Sequence, residues 1–222
     1  MVSPTAAAVI VPPELALAFA CVLDYPYEQP LDAVTACAAH SRPVSDEAAD
    51  LLERFADAVA EASLGELQEA YTRTFDLDTM SQAEPTCYPY VGHYLFEENH
   101  KRGAFILGMR RRFRAQGFEE EGGELPDHIV VLLRFLPVCE DAELAEELVD
   151  HAMLPALAKM LVGDDDRGGS LRGGYRRVLR ALELTLRGLR PEAEPDPSTV
   201  EAEREWLRPG DSLGIERNGH RH

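Results

Sequence analysis

The sequence predicts an all-α fold, a single-domain helical bundle of seven to eight helices. Apolar residues recur at a period close to 3.6 along almost the whole chain, and alternating strand patterns are nearly absent. Serine, aspartate and proline stand where helices should begin, and glycine or proline where they should end. The chain has 222 residues, enough for one ordinary core, and 45% of them are hydrophobic, which excludes wholesale disorder. Residues 1–190 read as the helical domain and residues 191–222 as a charged, proline-rich, mostly disordered tail.

Pro13 suits the first turn of ELALAFACVLDY, and Pro26 ends that helix. PLDAVTACAAH is a second, shorter one. Ser45 is placed to cap DEAADLLERFADAVAEA, whose acidic first turn suits the helix dipole. Ser63 and Glu66 form a capping box for LGELQEAYTRTF. Residues 76–92 break the pattern with two prolines and a glycine, a long connection of the kind that often carries function. A helix is expected from about Tyr94 to Gln116, kinked near Gly103 and stopped by Gly117. After GFEEEGGEL, Pro126 is placed as a first-turn residue of DHIVVLLRFLPVC. Asp141 should cap AELAEELVDHAMLPALAKML, with a kink at Pro155. The loop GDDDRGGSLRGG then leads to the last helix, YRRVLRALELTLRGL.

The formal net charge of −18 argues against a nucleic-acid partner, which would need a basic footprint. It suits a cationic partner or simply solubility. Cys21, Cys37, Cys87 and Cys139 are far apart with no CxxC pair, and read as reduced thiols of a cytosolic protein. No export signal is visible and no apolar run approaches the roughly 20 residues needed to span a bilayer, so a soluble, cytoplasmic protein without membrane insertion is expected.

Three constellations compete as sites. His93, Glu97 and His100 are spaced i, i+4, i+7 and would share a face of a continuous helix, resembling a catalytic zinc site in a metal-dependent helical enzyme. KRGAFILGMRRRFRAQG gathers Lys101, Arg102, Arg110, Arg111, Arg112 and Arg114, so the 101–114 face suits a helical adaptor docking acidic surfaces. The glycine-rich 163–174 loop lacks the P-loop pattern and follows a helix. The third constellation is GGELPDH. Gly122 and Gly123 permit a sharp turn, Glu124 and Asp127 flank a helix start they could cap, and His128 has no evident structural reason. No nucleophile motif accompanies it, so no catalytic residue, cofactor or metal is assigned.

Tyr71-x-x-x-Phe75-Asp76-Leu77, Tyr88-Pro89-Tyr90 followed by Tyr94-Leu95-Phe96, Phe113-x-x-x-Gly117-Phe118 and GGELPDH together resemble the redox-enzyme maturation proteins. These are the molybdoenzyme assembly chaperones of the nitrate reductase delta-subunit and trimethylamine oxide reductase type. PYVGHYLFEENHKRGAF is most similar to the chaperones of dimethyl sulfide dehydrogenase-like, selenate, chlorate and ethylbenzene dehydrogenases. The resemblance spans about residues 12–190. It implies a non-enzymatic chaperone without a permanent cofactor. Such a chaperone binds the catalytic subunit of a molybdenum-cofactor oxidoreductase, at its twin-arginine leader or nearby region, before cofactor insertion and export. It is a monomer or a domain-swapped dimer. By position, Pro126, Asp127 and His128 match the family's recognition element, and Tyr88, Tyr90 and Tyr94 its aromatic loop. Physically, Glu124 and Asp127 would pair with leader arginines. Leu125, Ile129, Leu132, Tyr90 and Tyr94 would wall the groove for its apolar stretch, as in helix-in-groove recognition.

Overall fold

A computed structural model describes residues 10–75, 87–96, 99–120, 122–162 and 171–190. The tail, the 163–170 part of the glycine-rich loop, Asp76, Leu77 and Glu97 lie outside the described residues.

α1 (Pro13–Leu23), α2 (Leu31–Ser41) and α3 (Asp46–Glu61) start and stop at the prolines and caps read from the sequence. Ser45 Oγ accepts the Ala48 N–H at 3.2 Å, answering one of the four orphan donors of α3. α4 (Leu64–Phe75) opens with a complete capping box: Glu66 N–H donates to Ser63 Oγ, and Ser63 N–H to Glu66 Oε2 at 2.8 Å. The Ser63 hydroxyl, donating to the Glu66 carboxylate at 2.7 Å, and then the Ser63 N–H hold that carboxyl below its ordinary pKa.

The expected 94–116 helix is two helices. α5 (Val91–Leu95) ends at Phe96, whose backbone is extended (φ −122°, ψ 121°), and α6 (Asn99–Ala115) begins beyond it. Gly103 lies inside α6, so the break falls seven residues earlier than the sequence suggests. Short α5 forms because Val91 and Gly92 are buried by tertiary contacts, which no local pattern announces. α7 (Ile129–Phe135) starts two residues later than expected, and Pro137 turns its end into a tighter 3₁₀ segment, Leu136–Val138. Asp141 caps α8 (Ala142–Glu147) through the Leu144 N–H at 3.1 Å. The expected kink at Pro155 takes the form of a π-helical stretch, Leu148–Met153, running directly into α9 (Leu154–Met160). The wider turn accommodates a residue that has no N–H and whose ring crowds the preceding turn. α10 (Gly174–Leu189) completes the bundle. With Ala142–Met160 read as one continuous helix, the described residues hold nine helices, one more than the upper expectation because of α5.

α10 lies at the centre, packed on α3, α9, α1 and α4, while α1 bridges α2 and α7. Tyr175 is fully buried against the rings of Phe55, Tyr71 and Phe75, at centroid distances of 5.3, 5.3 and 5.7 Å. Such edge-on pairs add to the burial of large aromatic surfaces. Gly174 makes the α3–α10 approach possible, since a Cβ there would stand 2.6 Å from Phe55 Cε2.

Two glycines should therefore respond oppositely to alanine. Gly174→Ala is expected to lower the unfolding free energy by about 1–3 kcal/mol through overpacking. Gly103→Ala, where nothing lies within 4 Å of the new methyl, should raise it by about 0.5–1 kcal/mol. Urea denaturation followed by circular dichroism measures both; equal effects would contradict the packing described.

Candidate functional site

The two motifs YPYVG (88–92) and LPDHI (125–129) are at least 33 residues apart in sequence and adjacent in space. Val91 N–H donates to the Asp127 carbonyl at 2.7 Å, and Ile129 N–H to the Pro89 carbonyl at 2.9 Å. This exchange makes Tyr90 and His128 an isolated antiparallel bridge pair. Gly122 (φ +100°) and Gly123 (φ +78°) adopt the left-handed backbone that lets the preceding chain turn back toward it.

Asp127 is fully buried at 0% exposure. Its Oδ2 accepts a bond from Arg102 Nε at 2.7 Å, and Oδ1 has no hydrogen-bond partner among the described residues. Gly92 is required beside them: a Cβ there would lie 2.7 Å from Asp127 Oδ2 and 3.1 Å from Arg102 Cγ. The Arg102 guanidinium carbon stands 5.1 Å from the centroid of the Tyr90 ring, a cation–π contact. The Tyr90 hydroxyl donates to Glu124 Oε1 at 2.9 Å, and the same oxygen accepts the Leu125 N–H at 3.0 Å. Burial and then the Glu124 bond push the Tyr90 hydroxyl up to about 12.

Two expectations for GGELPDH change here. Asp127 does not cap α7, and Pro126 is not in its first turn. The N-cap is His128, whose Nδ1 accepts the Val130 N–H at 3.2 Å, so the imidazole has a structural task. Burial drives its pKa below the ordinary 6.5, against the opposing pull of Glu124, Asp24 and Asp127.

These groups border a cavity of about 600 Å³. Its aromatic wall is Tyr25, Tyr27, Tyr71, Phe75 and Tyr90; its apolar floor is Val130 and Val131. Asp24, Glu124, His128 and Arg134 supply polar groups, with Asp24 and Arg134 paired to each other. Burial raises the pKa of the Tyr71 hydroxyl, so it stays neutral.

Of the residues singled out by sequence, Tyr90, Glu124 and His128 line this groove. Tyr88 and Tyr94 gather instead around His93: Tyr88 N–H donates to the Tyr94 hydroxyl at 2.9 Å, and the Tyr88 and His93 rings lie 4.2 Å apart. Pro126, Asp127, Ile129 and Leu132 are buried, and Leu125 is half-buried. From α7 the groove is lined by Val130, Val131 and Arg134, and Leu125, Ile129 and Leu132 are not among its lining residues. Sequence reading missed Tyr25 and Tyr27 altogether, although Tyr25-Pro26-Tyr27 repeats the Tyr-Pro-Tyr of residues 88–90.

The other constellations also separate. His93 is on α5 and His100 on α6, with the extended Phe96 between them, so no shared helical face joins them. Among the described residues no three His, Cys, Asp or Glu side chains cluster to hold a metal ion. On the basic segment Arg102 turns inward to Asp127, while Arg110, Arg111 and Arg114 remain exposed. No helix among the described residues is long and apolar enough to cross a membrane.

Residues 41–162, more than half of the chain, match the family described as nitrate reductase delta subunit. The chain belongs to the nitrate reductase delta subunit family. It is thus a member of a family of molybdoenzyme maturation chaperones. The bundle is also similar to the crystal structure of a candidate redox enzyme maturation protein from Archaeoglobus fulgidus. The two are 22% identical, with a TM-score of 0.50 over 77% of this chain and 92% of that one, a likeness of fold. No curated protein matches the chain at a significant level. The family match takes in Tyr71, Gly92, Arg102, Glu124, Asp127 and Arg134; Asp24, Tyr25 and Tyr27 precede it.

Gly92→Ala should lower the unfolding free energy of this delta-family chaperone by about 1–3 kcal/mol, because the new methyl meets a buried carboxylate and not a yielding side chain. Denaturant titration checks it, and an unchanged midpoint would refute the close approach. A second expectation concerns pH. The folded pKa of His128 lies below its unfolded value, so the unfolded chain takes up the proton first as pH falls. Its contribution to stability is complete above about pH 6.5 and is lost as pH drops from there toward the folded pKa. His128→Asn keeps a capping acceptor without a titrating group, so stability measured from pH 7.5 to 5.5 should fall less steeply than in wild type. Equal slopes would contradict the lowered pKa of the buried His128.

Proposed function

We propose that this chaperone holds the N-terminal twin-arginine leader, or the region next to it, of the catalytic subunit of a molybdenum-cofactor oxidoreductase. It does so in the cytoplasm, until cofactor insertion and assembly are complete. It works by binding and performs no catalysis of its own. The client proposed is an enzyme of the dimethyl sulfide, selenate, chlorate or ethylbenzene dehydrogenase kind.

The observation that carries this reading is the groove: five aromatic side chains and two valines walled in with carboxylates at the rim. A leader presents two cations followed by an apolar stretch that tends to become helical when bound. Aromatic and aliphatic walls take the apolar face of such a helix, and carboxylates pair with arginine. A volume of about 600 Å³ suits a few anchoring side chains rather than the whole segment, so the remainder of a leader would run over the surrounding surface.

Pull-down of the catalytic subunit from co-expressing cells, with and without its leader, is the direct test. Full-length subunit should be retained, and leaderless subunit retained at least tenfold less, the loss of about 1.4 kcal/mol of binding. Reversing the charges of Arg110, Arg111 and Arg114 should leave retention intact. Retention of neither form would sink the proposal; loss on charge reversal would favour docking through the α6 face.

A further inference from the structure

We infer that Asp127 serves client binding as a positioning residue, acting through Arg102 and Tyr90 to set Glu124 as the carboxylate that meets a cationic side chain of the client. The inference rests on the groove being the client site, as proposed above.

A peptide in the groove has no route to Asp127. The residue is fully buried, its own carbonyl accepts the Val91 N–H, and Ile129 just beyond it donates to the Pro89 carbonyl. Of its two oxygens, Oδ2 is taken by Arg102 and Oδ1 has no hydrogen-bond partner among the described residues, of which Arg102 is the one that holds the carboxylate. Admitting a client arginine would mean expelling Arg102 and opening the Val91–Asp127 backbone bond. Stripping a buried charge of its partner is strongly destabilising, which argues against exchange.

Arg102 transmits the placement. Its side chain is one-quarter exposed, fixed at Nε by Asp127 and lying over the face of Tyr90. His128 meets the Tyr90 ring edge-on at 5.2 Å, so the ring is held by two neighbours. The ring in turn aims its hydroxyl at Glu124 Oε1, and the Leu125 N–H adds a second bond to that same oxygen. Glu124 is half-buried and lines the groove. The other groove carboxylate, Asp24, is already paired with Arg134. Glu124 is therefore the acceptor best placed for an incoming cation. A guanidinium is the cation that fits, since it pairs with a carboxylate in its plane while its faces lie against the neighbouring Tyr25 and Tyr27 rings.

Two measurements on the full chain test this. The first is binding of a labelled synthetic peptide with two arginines ahead of a leucine–alanine stretch, compared with its diglutamine counterpart. The second is hydrogen exchange of residues 87–93 and 122–128 without peptide. Wild type should prefer the diarginine peptide by about tenfold, the worth of one charge-assisted bond at a half-exposed site. Glu124→Gln should erase that preference and leave exchange slow. Asp127→Asn and Arg102→Met should speed exchange in both segments together and weaken diarginine binding, and Arg102→Lys should recover part of the preference. The inference is overturned if Asp127→Asn erases the preference with exchange unchanged, which would make Asp127 the contact. It is equally overturned if Arg102→Met changes neither measurement. A wild type without preference removes the cation role of Glu124 and, with it, the leader reading; the exchange data still decide whether Asp127 acts through Arg102.

Discussion

A carboxylate with no access to water organises this chaperone's groove. Asp127 pairs with Arg102 and is enclosed where the YPYVG and LPDHI segments exchange their backbone bonds. Enclosure is possible only because residue 92 has no side chain to occupy the same space. Three positions from separate segments, 92, 102 and 127, are thereby committed to one arrangement. The near wall of the groove adjoins it: Arg102 lies over Tyr90, Tyr90 bonds Glu124, and His128, next to Asp127, caps α7. A buried ion pair is weak evidence for stability, since apolar residues of similar volume often do as well. Its better explanation is specification of geometry, which suits a site whose task is to fit a partner.

The helical class was legible because it depends on local rules. Ser45, Ser63, Glu66 and Asp141 cap their helices as the pattern requires, and the 3.6 period marks the buried faces of α3 and α10. Illegible parts were those decided by tertiary contact. Phe96 interrupts a segment with good helical periodicity, and nothing local distinguishes it from its neighbours. His128 lacked a reason in the sequence because imidazole is an uncommon cap beside aspartate, the residue expected to fill that place. The structure gives the aspartate to Arg102 and the cap to the histidine.

The groove shows the same division. Glu124, Tyr90 and His128 were within reach of sequence reasoning because they sit in two conspicuous motifs. The opposite wall arrives from the turn after α1 and the last turns of α4, through Tyr25, Tyr27, Tyr71 and Phe75. Only the repeated Tyr-Pro-Tyr hinted at the first two. Conversely, Ile129 and Leu132 looked like a binding surface and belong to the core, because α7 packs on α1 and tertiary contact decides which of its faces is enclosed. Strong overall acidity, a formal net charge of −18 on 222 residues, would favour approach of a cationic segment at long range.

The claim that the groove holds the client is tested most directly by where a client touches. Benzoylphenylalanine placed at Tyr27, which is 80% exposed at the groove, and separately at Leu107, 60% exposed on α6, reports contact on irradiation of the co-expressed pair. The account predicts a covalent product from position 27, mapping to the leader or the adjoining region of the catalytic subunit, and none from position 107. A product from position 107 alone would contradict it and move the binding surface to the basic face of α6.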